Sequence, residues 1–222
     1  MKNLKMFCLT LEPNHYDFIK NLGYTPVGLG EKNFNSSWFT DKSGINISKK
    51  NKNYGEYTFH YWLWKNYLEK LNDNWIGFCQ YRKFWSLDDI KHEEINLNTL
   101  KDKVLKKIPD NFNVYDSILI KPMYINQWKP MKFLKKGLSI VLKNPTVLFD
   151  KNKRNLKFHF DLMHGEHNLS KAIDLLDSKN KKDFKSFVNK NVSFNPQNMF
   201  ICKSKSILEK ILRRFISMAG KV

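Results

Sequence analysis

Gln80, Tyr81 and Arg82 set an amide, a phenol and a guanidinium side by side at the end of an apolar run, Trp75-Ile-Gly-Phe-Cys79. Such a run reads as a buried strand, and in open α/β sheets ligands bind beyond the carboxyl ends of the strands. A guanidinium presents a planar fork of donors that meets phosphate oxygens two at a time. The trio therefore suits an anionic, sugar-like ligand. The plainer alternative, a strand whose polar end simply meets water, stays open on these residues alone. A second cluster is His164-Gly165-Glu166-His167. Two imidazoles three residues apart can share a helix face. The spacing is not the four-residue step of a zinc helix, however, and no third ligand stands at metal spacing. The reading drawn is a neutral His164 that donates to a substrate hydroxyl or phosphate. A satisfied surface or core imidazole is the alternative for His167.

The elements that must carry these groups alternate. Residues 4–11 form a short apolar strand stopped by Glu12-Pro13-Asn14, and 15–22 a short helix closed by Gly23. Residues 24–30 are extended, 31–53 a polar loop, and 54–71 an aromatic helix with Tyr57, Tyr61, Trp62, Trp64 and Leu68 at helical steps. After the strand at 75–79 come surface helices within 86–108, a strand at 115–120 and a helix at 133–142. A long helix at 158–177, a helical stretch at 182–189, a strand at 198–202 and a basic amphipathic helix at 204–219 complete the chain. Strands alternating with helices predict an α/β layered sheet. Two segments are expected, a domain over 1–203 and the basic helix over 204–222.

A chain of 222 residues with 41% hydrophobic and 14% aromatic content buries a full core. Cys8, Cys79 and Cys202 are far apart, each within an apolar run, and read as buried small hydrophobes in a reducing compartment. No apolar run is long enough to span a bilayer and no signal-peptide pattern follows Met1, so a cytoplasmic protein is expected. The net charge is +18, and residues 121–160 hold ten Lys or Arg against the single acid Asp150. The excess fits a solvated lysine-rich surface, a polyanionic partner, or the anionic inner face of a membrane. Nucleic acid is a rival partner by charge, but no DNA- or RNA-binding motif accompanies it. No phosphate-binding glycine loop, dinucleotide fingerprint or nucleophile elbow is present.

Several segments resemble one family, catalogued as a domain of unknown function and recurring among bacterial capsular and exopolysaccharide glycosyltransferases. Asn51-Lys-Asn-Tyr-Gly-Glu56-Tyr-Thr58 followed by Tyr61-Trp62-Leu-Trp64-Lys65-Asn66 is similar to its Asn-x-x-Tyr-x-Glu-Leu-Thr and Tyr-Trp-x-Trp-Lys-Asn pattern. Residues 76–83 resemble its Gly-Leu-Cys-His-Tyr-Arg-Arg block, with Gln80 at the His position. Asp41 to Ser48, Tyr115-Asp116, the His164 region and Asn198 to Ile201 match further along. Asn168 stands where the family pattern has an Asp.

The resemblance implies a GT-A-like fold, a single domain with a Rossmann-type sheet flanked by helices. It implies a glycosyltransferase that moves a sugar from a nucleotide-diphosphate donor to a surface-polysaccharide or lipid-linked glycan. Thr10, Asp41, Asn46, Lys50, Gln80, Tyr81 and Arg82 would serve the donor, and His164 and Glu166 the acceptor, with Glu166 as general base. A manganese or magnesium ion stays open as cofactor. Transferases of this kind commonly hold one with Asp-x-Asp, whereas this edge carries no acid, and Asp88-Asp89 follows only later. The basic helix would then lie on anionic lipid at the inner membrane face. A non-catalytic carbohydrate-binding relative is the alternative that Asn168 raises.

Overall fold

A computed structural model describes residues 1–72, 75–88, 90, 96–127 and 138–219. In chain order the first part runs β1 (Lys2–Thr10), α1 (Tyr16–Asn21), β2 (Thr25–Gly28), β3 (Phe39–Thr40), α2 (Asn51–Tyr54) and α3 (Tyr57–Asn66). Then come β4 (Trp75–Gln80), α4 (Leu97–Lys103), β5 (Lys107–Ile108) and β6 (Ser117–Leu119). The second part runs β7 (Met123–Tyr124), α5 (Leu138–Lys143), α6 (Leu156–His164), α7 (Asn168–Asp174), α8 (Ser178–Lys190) and β8 (Ser193–Phe194). The chain closes with β9 (Phe200–Cys202) and α9 (Lys205–Ala219). It divides into two compact units, Met1–Leu119 with Asn198–Ile216, and Ile120–Gln197 with Ser217–Val222.

The first unit is the α/β layered sheet that the element order predicts. Its strands lie in the order β3-β2-β1-β4-β9-β6, with β5 paired to β1 off that path. The β3-β2-β1-β4 half is parallel, and beyond β4 the strand β9 pairs antiparallel with both β4 and β6. Side chains alternate across β1 and β4 with the two-residue period of a strand. Phe7 and Leu9 of β1 and Ile76 and Phe78 of β4 join Phe59, Trp62 and Leu63 of α3 and Leu208 and Leu212 of α9 in one core cluster. Cys8 and Cys79 fall at the intervening positions, opposite each other in register. Each fully buried Phe or Leu contributes roughly 1.5–3 kcal/mol by leaving water. Gly77 lets β1 and β9 pack closely against β4, since a Cβ there would sit 2.8 Å from Met6 Cε and 3.0 Å from Ile201 Cγ1.

Four sequence expectations change. The aromatic helix over 54–71 is broken by Gly55 (φ 51°, ψ −131°) into α2 and α3, and the loop over 31–53 contains β3 and a helical turn at Ser48–Lys50. The helix over 158–177 is likewise two helices, because Gly165 (φ 94°) and His167 (φ 70°) take left-handed conformations between them. The expected separate helix at 204–222 is α9, and its apolar stripe is already spent. Leu208 and Leu212 are wholly buried in the first unit, with Ile207 and Ile211 packed against the same cluster. Parts of the expected helices over 86–108 and 133–142 lie outside the described residues.

The second unit is small. α6, α7 and α8 meet around Leu169, Ile173 and Val188, with Leu156, Phe160 and Phe184 against them. Asn155 and Asp177 cap α6 and α8, accepting from Phe158 N (2.9 Å) and Asn180 N (3.1 Å). The β7–β8 pair forms its own two-stranded sheet.

Candidate active site

The direction of strand addition reverses at β1. The chain steps from β1 to β2 and β3 on one side, then returns to place β4 on the other. Beyond the carboxyl ends of two strands that diverge in this way the connecting loops part and leave a crevice. Thr10 ends β1 and Gln80 ends β4, so the residues singled out by sequence stand at that reversal. A cleft of about 320 Å³ lies there, lined by Thr10, Asn51, Lys52, Glu56, Gln80, Tyr81 and Arg82. A more open cavity of about 720 Å³ adjoins it towards β2, with Gly30, Lys32, Lys42, Ser48 and Lys49 on its walls. The two share Leu11, Leu29, Asn51 and Lys52.

The rim is held by its own hydrogen bonds. Thr10 is buried; its hydroxyl accepts from Glu12 N (3.0 Å) and lies 2.8 Å from His15 Nδ1. His15 stacks on Tyr81, ring centroids 4.4 Å apart, and the Arg82 guanidinium lies 5.0 Å from the same phenol ring. Arg82 is exposed, and among the described residues no carboxylate pairs with it. Gln80 donates its amide to Glu56 Oε1 at 2.6 Å. Asn198 donates to Glu56 Oε2 at 3.3 Å and accepts from the Tyr57 hydroxyl at 2.9 Å. Burial pushes the Tyr57 hydroxyl above its ordinary pKa, and the charge on Glu56 adds to that. The residues that precede both partners, Gly55 (φ 51°) and Gln197 (φ 77°), have left-handed backbone. Strained backbone of this kind marks sites where geometry outranks propensity.

Four of the seven donor-side expectations, Thr10, Gln80, Tyr81 and Arg82, therefore come together on one cleft. The other three do not line it. Asn46 spends its side chain inside its own loop, donating to Lys42 O and Gly44 O and accepting from Ser48. Lys50 is exposed with its ammonium 5.7 Å from the Tyr54 ring, while its neighbours Lys49 and Lys52 face the cavities. Asp41 is wholly buried, and neither carboxylate oxygen has a hydrogen-bond partner. Burial holds its pKa up, with the neighbouring Thr58 hydroxyl opposing the shift. That hydroxyl already gives its one proton to Gly55 O and accepts from Asn51.

The second unit holds His164 and Glu166. His164 is exposed at the end of α6, tilted against Phe160 at 4.6 Å, and α6 ends there. The helix break means that His164 and His167 do not share a helix face. Glu166 is bound by Lys143 Nζ at 2.8 Å, which holds its carboxyl below the usual range. Asn168 ties the turn by donating to His164 O at 2.8 Å.

Among the described residues no three His, Cys, Asp or Glu side chains converge. The cleft's carboxylate, Glu56, has both oxygens engaged by amides. A manganese or magnesium ion takes about six oxygen ligands, several of them commonly water or substrate phosphate, and Glu12 and Glu31 line the adjoining cavity.

Glu56 and Asn198 form the part of the site that the residue reading left unassigned. Glu56 lay inside an aromatic run that reads as core, and the signal that could have found it is Gly55. A glycine inside a helical pattern marks a break, and a break re-aims the next side chain.

The family model described as Domain of unknown function (DUF4422) matches residues 9–211. The chain belongs to that family. Among solved structures, the apo form of the bifunctional glycosyltransferase WbbM is similar over 98% of this chain, with a TM-score of 0.56 at 19% sequence identity. This member of the DUF4422 family spans only 36% of that chain. No curated protein matches. At this identity the likeness is one of fold, a central, mostly parallel sheet flanked by helices.

Proposed function

We propose that this chain is a glycosyltransferase whose nucleoside-diphosphate sugar donor lies over the carboxyl ends of β1 and β4. The observation that carries the reading is the Arg82 guanidinium, which lines a cleft at the sheet's reversal point and has no carboxylate partner among the described residues. The cavity beside β2 is large enough for a nucleoside, and Lys52, on the wall shared by both cavities, adds a second cation near the diphosphate. Charge developing on the leaving diphosphate is then met by fixed side-chain cations. The likeness in fold to a glycosyltransferase, over about a third of that protein, supports the same reading. An acceptor glycan, free or lipid-linked, would supply the attacking hydroxyl. Contact with an anionic membrane would need another surface than α9, whose apolar stripe is inside the fold.

The test is a thermal-shift and calorimetric screen of nucleoside diphosphates and nucleotide sugars, with EDTA or with manganese. A ligand that binds the native state raises its apparent stability. A stabilising nucleotide whose effect survives EDTA and is lost in Arg82→Ala is the expected result. No stabilisation by any nucleotide ends the proposal. Binding without any release of nucleoside diphosphate would instead favour a non-catalytic carbohydrate-binding relative.

A further inference from the structure

We propose that Glu56 is the general base of the transfer, the group that takes the proton from the attacking hydroxyl. This rests on the donor reading above and adds the residue that chemistry requires at the other end of the cleft.

The order of groups along the crevice gives the first argument. The open cavity lies towards β2, with Lys32, Lys42 and Lys49 beside Glu12 and Glu31, and Glu12 pairs with Lys32 at 2.6 Å. Asn51 and Lys52 belong to both cavities. Glu56 lines only the narrower one and is bonded from β4 by Gln80 and by Asn198, just ahead of β9. A donor whose nucleoside fills the larger cavity and whose diphosphate meets Lys52 and Arg82 places its sugar at the Glu56 end. A carboxylate there is repelled by the phosphates and suited to a hydroxyl.

The wiring gives the second. A carboxylate has about four lone-pair sites. The Gln80 and Asn198 amides take one on each oxygen, which fixes the plane of the group and leaves the others to accept from a substrate. Both donors are neutral, so neither removes the negative charge. Asn198 is in turn oriented by the Tyr57 hydroxyl at 2.9 Å, so the clamp is itself held. Glu166 differs on this point, because its partner is the Lys143 ammonium.

The step balances without a further reagent. The acceptor O–H proton passes to a Glu56 Oε, and the acceptor oxygen forms a bond to the anomeric carbon. The bond from that carbon to the phosphate oxygen breaks, and its electron pair leaves with the nucleoside diphosphate. Direct displacement from the face opposite the leaving group inverts the anomeric centre.

The experiment uses the full chain and a panel of UDP-, GDP- and dTDP-hexoses, with water as acceptor and release of nucleoside diphosphate as readout. Loss of a general base costs about 10²–10⁴-fold in rate. Glu56→Gln is expected to lose at least about 100-fold in release, to bind the matching nucleoside diphosphate within about threefold of the parent, and to lose the fall in kcat/KM on the acid side. Glu56→Ala with sodium azide, a nucleophile with no proton to give up, is expected to regain release. A structural role would show none of that rescue. Near-parental release by Glu56→Gln, equal losses in release and nucleotide affinity, or no azide effect would each overturn the assignment. Failure of the parent to bind any nucleotide would instead remove the donor reading, and this inference with it.

Discussion

Two carboxylates face opposite fates. Glu56, at the reversal point of the sheet, is held by two amides; Glu166, in the turn between α6 and α7, is held by an ammonium. Both are oriented by hydrogen bonds, yet only the second partner brings a full positive charge, and it holds the Glu166 carboxyl below the usual range. A base must keep its appetite for a proton near working pH. Amides fix a carboxylate in place without setting a full positive charge against it; the Lys143 ammonium does set one against Glu166. Proximity to a histidine, the cue that first drew notice to Glu166, says less than the charge of the neighbour.

The largest expected effect tests this contrast directly. Glu56→Gln should slow transfer by about 10²-fold or more, and Glu166→Gln by far less, in a side-by-side rate measurement; the reverse ranking would break the comparison. Next comes the donor side. Arg82→Ala should raise the dissociation constant for nucleoside diphosphate about 10–100-fold in calorimetry, since hydrogen bonds to charged groups contribute about 1.5–3 kcal/mol. Unchanged affinity would remove Arg82 from the site. Gln80→Ala should slow transfer by about tenfold, as expected for losing one orienting bond of about 1.4 kcal/mol, with nucleotide affinity kept. That result would sharpen the claim that neutral donors do the orienting.

The smallest effects come from buried titratable groups. His60 is buried against Phe78 and Phe200 with both ring nitrogens unbonded, and burial depresses its pKa to about 4. The unfolded chain then binds a proton that the folded chain refuses. Stability should be full above the ordinary imidazole value of 6.5 and fall as pH drops towards 4. His60→Phe should remove that dependence, and an equal loss of Tm in parent and variant between pH 7.5 and 5 would refute it. Asp41 has the opposite sign. Its raised pKa means that stability falls as pH rises through the window above 3.8. Asp41→Asn should therefore raise Tm at neutral pH by about 2–4 °C, the shift for about 1 kcal/mol in a chain of this size.

Much of this was legible in the sequence for identifiable reasons. The apolar runs of β1 and β4 are buried on both faces and leave no ambiguity of period, so the strands and the Gln80-Tyr81-Arg82 edge follow from them. Gly55 and Gly165 were hidden inside helical patterns, because spacing of large residues continues across a kink while the backbone does not. That is why Glu56 read as a helix-face residue and His164 and His167 as neighbours. Asp41 was set at the donor site by the resemblance alone, and the residue types around it carry no sign that it is wholly buried. The amphipathic stripe of α9 was recognisable, but not its partner: lipid and the face of a sheet ask for the same Ile and Leu spacing.

Gly55 carries a further lesson. A Cβ at that position would meet nothing within 4 Å, so size alone would admit any residue. The backbone there, at φ 51° and ψ −131°, is one that side chains with a Cβ avoid. Replacing Gly55 by alanine would thus leave no collision for a crystallographer to find, yet it would swing the start of α3 like a door on a bent hinge. Engineers who redesign such clefts by filling empty volume would find this vacancy the most tempting and the least forgiving.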